Sequence, residues 1–396
     1  MFRCFAIITG ILVFFPFVSF SQGTFEWSQH RIELKKGLRF SLKIPAGYQI
    51  HVAAQGLERP RFFSKSPDGR LFVTDMHNRG DNKKGRVLIL NKWNPKTKTF
   101  DGVTTFLEGL HNPNQVAFYT IGQQTYIYIA ETGKLSYYEY TAGDSVAVGK
   151  PVVIATFPDY GLSYKYGGWH LTRSIAFHKS KVYVSVGSSC DACVEKEEVR
   201  AVVLEMDPDG GHQRVFARGI RNAVGIKWVN SALWVTHMGR DNRGPDQPEE
   251  LFHTVEENGF YGWPYYYQYK KRIIADTQFV KRARSAFVHK PAVAPYAFKA
   301  HAAPLGFERM HDFKDPLLNN SFLVALHGST SVWRQRGNAI VQLMPDGTYR
   351  EIISGFLQGK TEDRRYGRPC DIIQWDDRSF FISDDKNGII YFLEKR

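Results

Sequence analysis

Gly56-Leu57-Glu58-Arg59-Pro60-Arg61 leads into Phe62-Phe63, a Ser66-Pro67-Asp68-Gly69 turn, the run Leu71-Phe72-Val73-Thr74-Asp75 and, after a gap, Gly85-Arg86-Val87-Leu88-Ile89-Leu90. Short apolar runs bounded by turn residues read as strands, so this unit is loop, strand, turn, strand, gap, strand. It recurs. Gly109-Leu110-His111-Asn112-Pro113 precedes Gln115–Phe118 and Tyr126–Glu131; Gly167-Gly168-Trp169-His170-Leu171-Thr172-Arg173 precedes Ser174–Phe177 and Val182–Val186. Gly219-Ile220-Arg221-Asn222-Ala223-Val224-Gly225, His301-Ala302-Ala303-Pro304-Leu305-Gly306 and Gly367-Arg368-Pro369-Cys370-Asp371 each open a further copy.

The copies start near residues 56, 109, 168, 219, 301 and 367. A spacing of about 50–80 residues with short strands in each unit is the period of a β-propeller blade. The expected fold class is all-β, a six-bladed β-propeller. One small twisted sheet cannot bury both faces, whereas a ring packs each face on a neighbour and leaves no long free edge. The wide fourth spacing predicts an insertion around 251–299 on the loop face. The sixth copy ends at Leu393, close to the C-terminus, so closure predicts that the N-terminal extended stretch Leu42–Val52 joins and completes the last blade.

Residues 1–21 read as a signal peptide: Arg3 supplies the positive start, Phe5–Phe17 the apolar core, and Ser19-Phe20-Ser21 the small residues of a cleavage site. The expectation is an exported chain, periplasmic or secreted, with no stable membrane insertion after cleavage and with 22–396 as a single propeller domain. The formal charge of +13 admits nucleic acid, an anionic surface or an anionic small molecule. Export argues against nucleic acid. Lys270-Lys271-Arg272 and Lys281-Arg282-Ala283-Arg284 read as solvated surface. Beyond the leader stand Cys190, Cys193 and Cys370. Cys190-Asp191-Ala192-Cys193 admits a zinc half-site, a redox pair or a local disulfide; an oxidising compartment favours the disulfide.

The polar residues that depart from the repeat share one register, the loop leading into the first strand of each unit: Arg61, Asn114, His170 with Arg173, Arg221 with Asn222, His301 and Arg368. In a ring these converge on one mouth of the central channel. Several guanidiniums, two imidazoles and amides suit a small ligand carrying multiple carboxylates or phosphates. A histidine at such a loop-to-strand junction, His170, is placed as a general base requires. His327-Gly328-Ser329 and Gly239-Arg240-Asp241 form a second layer in which turn carbonyls can ligate calcium or simply make turns. No nucleophile elbow, Walker loop, HExxH or dinucleotide fingerprint occurs in a fitting context, which removes the common hydrolase, kinase and NAD readings.

Gly167–Arg173, Gly187–Cys193, Gly219–Gly225, Gly262-Trp263-Pro264, His301–Gly306, Leu326–Ser329 and Tyr366–Pro369 together resemble the soluble PQQ-dependent sugar dehydrogenases, in particular the L-sorbosone and pyranose dehydrogenase branch. The resemblance runs from about Ile44 to Leu393. It implies a six-bladed propeller with pyrroloquinoline quinone (PQQ) and calcium on the loop face, oxidising a small-molecule sugar and passing electrons to an external acceptor. It implies His170 as the base, Arg221, Asn222 and Arg368 on the cofactor, and Gly239-Arg240 offering carbonyls to calcium. Arg61, Arg173 and His327 join the cofactor set by register, and His301 and Trp169 stand on the substrate side. After Ser329 the family continues with Trp-Asn-Arg; here Thr330-Ser331-Val332-Trp333-Arg334 stands instead, leaving Arg334 and Arg336 as candidates. Two other classes compete: a calcium-dependent lactonase or esterase on the same scaffold, and a non-catalytic sugar-binding propeller. Arginines where the first wants carboxylates argue against it, and His170, Arg221, Asn222 and Arg368 argue against the second.

Overall fold

The computed structural model describes residues 25–35, 37–159, 170–283 and 288–396. The leader and Trp169 lie outside them. Six antiparallel sheets follow one another around a ring, spanning 60–110, 115–156, 173–218, 226–298, 304–353 and 369–395. Each keeps its strands in sequence order, so the repeat read from the sequence is the blade. The chain is a six-bladed β-propeller.

The sixth blade borrows its outer strand from the N-terminal part of the chain. Tyr48–Gln55 pairs antiparallel with Ile389–Lys395, Leu393 facing Ile50 and Ile390 facing Ala54. This corrects the expected boundaries of the closing strand. Leu42 and Ile44 belong to the preceding strand, Arg39–Pro45, which pairs with Trp27–Glu33. Ala46-Gly47 breaks the run, with Gly47 at φ +80°, a conformation glycine adopts without steric cost. The hairpin so formed packs Ile32, Phe40, Leu42 and Ile44 against Ile352, Ile353 and Phe356, and Lys43 exchanges backbone hydrogen bonds with Ser354. It covers apolar surface between blades five and six.

Blade faces are filled by large side chains. Tyr119 stacks on Phe177 at 4.4 Å between blades two and three, and Phe381 and Phe392 meet Trp93 between blades six and one. Near the axis the joints are polar. Thr74 Oγ1 donates to the Asn114 carbonyl (2.7 Å), Asn114 Nδ2 to Ser174 Oγ (2.9 Å), Ser174 Oγ to the Val224 carbonyl (2.5 Å) and Thr236 Oγ1 to the Leu305 carbonyl (2.9 Å). Asn338 Nδ2 donates to the Gly367 carbonyl (3.0 Å), and Phe63 N to Asp371 Oδ2 (3.0 Å). Every joint of the ring thus carries a side-chain hydrogen bond. Phe62, Val224, Leu305 and the free Cys370 form an apolar plug on the axis.

Between Val255 and Tyr296 the chain leaves the plain blade pattern. Gly259–Phe260 adds a short parallel strand to blade three, and Tyr266–Tyr269 pairs with Arg272–Ala275 in a separate hairpin. Lys270, Lys271, Arg272, Lys281 and Arg282 are all exposed. The described basic residues of both runs are solvated, as their composition implies; Arg284 lies outside the described residues.

Two predictions follow from closure. Gly388 has φ +67°, and a Cβ there would lie 1.8 Å from the Leu57 carbonyl oxygen, where blade six meets blade one; Gly388→Ala is expected to cost on the order of 2–3 kcal/mol in urea unfolding. Asp371 is buried at the same joint, and burial raises its carboxyl from 3.8 to about 7. Between those values the folded chain holds a proton that the unfolded chain has released. Stability from this group therefore falls as pH rises from about 4 to about 7, by up to ~1.4 kcal/mol per pH unit. Asp371→Asn removes that component, so the variant should gain on the wild type as urea midpoints are followed upward through this window.

A candidate active site at the mouth of the ring

All six first strands begin at the same end of the ring, which brings the loop residues together. The local reason is a repeated cap. At the end of the second strand, or just beyond it, four blades carry an acceptor for a backbone N–H of the loop. Asp75 accepts from Arg59 N (2.6 Å), Glu131 from His111 N (2.7 Å), His237 from Arg221 N (3.0 Å) and Asp384 from Arg368 N (2.9 Å). Each loop is tied to its own blade before its side chain reaches the mouth.

One half of the mouth is built around His170. Its Nδ1 lies 2.8 Å from the Ser188 carbonyl, an acceptor only, so Nδ1 carries the proton and Nε2 keeps its lone pair. Among the described residues Nε2 has no hydrogen-bond partner. Burial first, and the Arg221 charge second, lower the ring to about 3. His170 is therefore a neutral imidazole. Arg221 beside it is buried, donating to the Asp191 carbonyl (2.8 Å), to Asp191 Oδ1 (2.9 Å) and to the Gly239 carbonyl (2.6 Å). Asn222 is buried, with Nδ2 3.4 Å from Met238 Sδ. His301 sits at φ +66°, unusual for a non-glycine residue. It is fixed by Gly244 O (2.8 Å) and Arg334 Nη1 (2.9 Å), with Asp241 Oδ1 3.5 Å away. Glu250 accepts the His301 and Gly239 N–H groups, and burial raises its carboxyl to about 8.

The other half is built around Asp385. This buried carboxylate takes Arg59 (2.5 Å), Arg61 (2.6 Å) and His327 Nε2 (2.8 Å), and His327 and these arginines hold it well below its ordinary range. Arg368 donates to the His327 and Gly328 carbonyls. Burial and the charges of Arg79, Arg365 and Arg59 push its guanidinium down to about 9, against the attraction of Asp385. A guanidinium keeps its proton, so the shift measures unfavourable positive charge. Five guanidiniums gather here, and among the described residues only Asp385 and Glu362 pair with them as carboxylates. An anion is what this half lacks.

Not every residue named from the sequence faces the mouth in the same way. Arg173 is fully buried and turns back to the His170 and Thr172 carbonyls (2.9 Å each); it supports the His170 backbone. The Gly239 carbonyl is taken by Arg221, and the Arg240 side chain binds Asp276 (3.0 Å). That carbonyl keeps a second lone pair, but a cation there would lie beside the Arg221 guanidinium. Arg334 contacts His301, whereas Arg336 pairs with Asp246 (2.7 Å). Cys190 and Cys193 form a disulfide. A cavity of about 250 Å³ behind Gly239-Arg240, walled by Tyr261, Trp263, Tyr266 and Tyr267, contains neither His170, Arg221 nor Arg368 in its lining. The residues that sequence reading missed are the carboxylates Asp385, Asp191 and Glu250; Asp241 was read only as part of the Gly239 turn.

The family described as a domain of unknown function, DUF7133, matches residues 37–301. The chain belongs to this family. A relative from Borreliella burgdorferi, described as an uncharacterized protein, is 24% identical over 367 residues, covering 89% of this DUF7133 chain and 90% of its own. Solved structures share the fold. The PQQ domain of pyranose dehydrogenase from Coprinopsis cinerea is 16% identical with a TM-score of 0.69, over 90% of this chain and 97% of that one. The calcium structure of a Trichoderma reesei carbohydrate-active enzyme of family AA12 is 17% identical with a TM-score of 0.71, over 89% and 96%. The apo soluble aldose sugar dehydrogenase of Escherichia coli is 14% identical with a TM-score of 0.62, over 88% and 100%. At these identities the likeness is one of fold, and it falls on the group that the sequence motifs resemble.

Asp385→Ala leaves Arg59 and Arg61 buried without their carboxylate. It is expected to cost about 3–5 kcal/mol, read from urea unfolding at neutral pH.

Proposed function

We propose that the chain is a PQQ-dependent sugar dehydrogenase that oxidises an aldose or related sugar at its anomeric carbon. The observation that carries this reading is His170: a buried, neutral imidazole with Nδ1 committed to a carbonyl and Nε2 open, in a mouth whose other half gathers arginines short of carboxylates. PQQ, when bound, supplies an o-quinone that accepts a hydride, and its three carboxylates match the charge that the mouth lacks. Arg221, Asn222 and Arg368 would hold it, with Arg61 behind them through Asp385. His170 Nε2 takes the hydroxyl proton of the sugar, so loss of hydride and proton converts the sugar to its lactone. Burial, with Arg221 second, keeps the imidazole neutral, and Nε2 is the atom left to take that proton. His301, hydrogen-bonded at both ring nitrogens, orients.

Calcium, when bound, would be offered the carbonyl of the Gly239-Arg240 turn, which accepts one hydrogen bond from Arg221 and keeps a second lone pair. The fold shared with pyranose and aldose sugar dehydrogenases supports the choice of substrate class. The same reading places the chain outside the cytoplasm after loss of residues 1–21, as one propeller domain with the segment around 251–299 inserted, handing electrons to an external acceptor.

The test is dye-linked oxidation of a panel of aldoses, with PQQ and calcium each added or withheld. Turnover should require PQQ, and His170→Ala should lower kcat by about 10²–10⁴ while the variant still binds PQQ. A folded chain that neither binds PQQ nor oxidises any aldose overturns the proposal. Ester or lactone hydrolysis in its place would identify a hydrolase.

A further inference from the structure

The segment Ser188–Cys193 touches both groups on which the proposed reaction turns. On one side the Ser188 carbonyl accepts from His170 Nδ1 (2.8 Å), and Ser188 Oγ lies 3.1 Å from the same nitrogen while donating to the Cys190 carbonyl (2.7 Å). On the other, Asp191 accepts Arg221 Nε on its carbonyl and Nη2 on Oδ1. The Asp191 carboxylate also accepts the backbone N–H groups of Asp241 (2.6 Å) and Asn242 (3.1 Å). It thereby fixes the turn after Gly239, whose carbonyl is Arg221's third partner. Asp191 is buried, so each of these bonds is shielded from water and holds its geometry.

This segment has no regular secondary structure of its own. From Gly187 to Ala201 the chain makes only bends, turns and extended links. Glu195 secures Ser189 from below (2.7 Å to N and to Oγ), and the Cys190–Cys193 disulfide closes the four residues that contain Asp191. A small covalent ring removes alternative conformations from a stretch that otherwise has little to hold it.

We propose that the Cys190–Cys193 loop is the element that sets His170 and Arg221 relative to each other, with Asp191 as its positioning residue. Its consequence for turnover rests on the dehydrogenase reading; the positioning itself does not. Asp191 touches neither reacting atom and acts through Arg221 and the Gly239 turn. Opening the disulfide with a dithiol, which supplies two electrons and two protons and leaves two thiols, frees Asp191 and releases both.

Amide hydrogen exchange resolved at Asp241 and Asn242 tests this on the intact mature chain. Dithiothreitol should raise exchange at both amides about tenfold or more and leave the strand Ala232–His237 unchanged. Asp191→Ala should do the same without reductant and respond little to reductant afterwards. Asp191→Asn keeps an acceptor oxygen and should restore most of the protection at Asp241. In sugar turnover, C190S/C193S and Asp191→Ala should lower kcat more than they raise KM, the mark of a misplaced base. Exchange that stays within about twofold on reduction, or an Asp191→Ala chain as sensitive to reductant as the wild type, overturns the proposal. If Asp191→Ala does not fold, the reduced wild type and Asp191→Asn decide it. The expected exchange without any sugar turnover would leave the positioning role standing and remove the dehydrogenase reading.

Discussion

Closure of the ring is the constraint from which the rest of the molecule follows. Ile389–Lys395 would be an edge strand, a row of unpaired N–H and C=O groups, if Tyr48–Gln55 did not pair with it. The pairing joins residues more than three hundred positions apart, so one register error there would open the last joint. Mouth residues gain meaning only when the ring is shut: Arg61 comes from blade one and Asp385 from blade six, yet they lie 2.6 Å apart. The Ser383 hydroxyl donates to the Arg61 carbonyl across the same joint (2.6 Å). Fold closure and site assembly are one event.

Burying this many charges needs local compensation, and the two halves of the mouth solve it differently. Around Asp385 one carboxylate serves two guanidiniums and an imidazole, leaving Arg368 to rely on backbone carbonyls, which are dipoles and not charges. Around His170 the arrangement neutralises instead. His170 and His253 are lowered to about 3 and about 4 by burial, Glu250 is raised to about 8 by burial and Asp241, and Arg221 is left as the formal cation facing Asp191 and Asp241. One half is positive and the other poised to move a proton. A ligand with a polyanionic end and a reactive end fits that division.

Much of this is legible in the sequence, because a repeat exposes its own exceptions. Six glycine- or histidine-led loops before alternating apolar runs give the blade count, and the polar residues in those loops are the ones that gather at the mouth. The carboxylates escaped because they sit at strand ends, where Asp and Glu are ordinary turn residues. Yet Asp75, Glu131, His237 and Asp384 share a register that a residue-by-residue alignment of the six copies would have shown. Asp191 was hidden differently, inside a Cys-X-X-Cys read for its sulfurs alone. The closing strand was displaced because Leu42–Val52 carries one extended pattern of alternating apolar and polar residues, and only the Ala46-Gly47 break separates two strands with different partners. Arg173 shares the register and still turns inward, since a side chain at the first strand position can reach the preceding loop's carbonyls as easily as the channel.

The position of Arg221 bears on which ligands the mouth can accept. Its guanidinium spans the Asp191 loop of blade three and the Gly239 turn of blade four, so it occupies the place where a turn carbonyl would otherwise offer itself to a cation. A cation entering there meets a fixed positive charge at hydrogen-bond distance from its would-be ligand, in surroundings that screen poorly. An anion meets the same charge as an attraction, although Asp191 and Asp241 already take part of it. The same bond that orders the site also biases it toward anions. Where this one arginine rests, held against Asp191, thus weighs on which sign of charge the site favours.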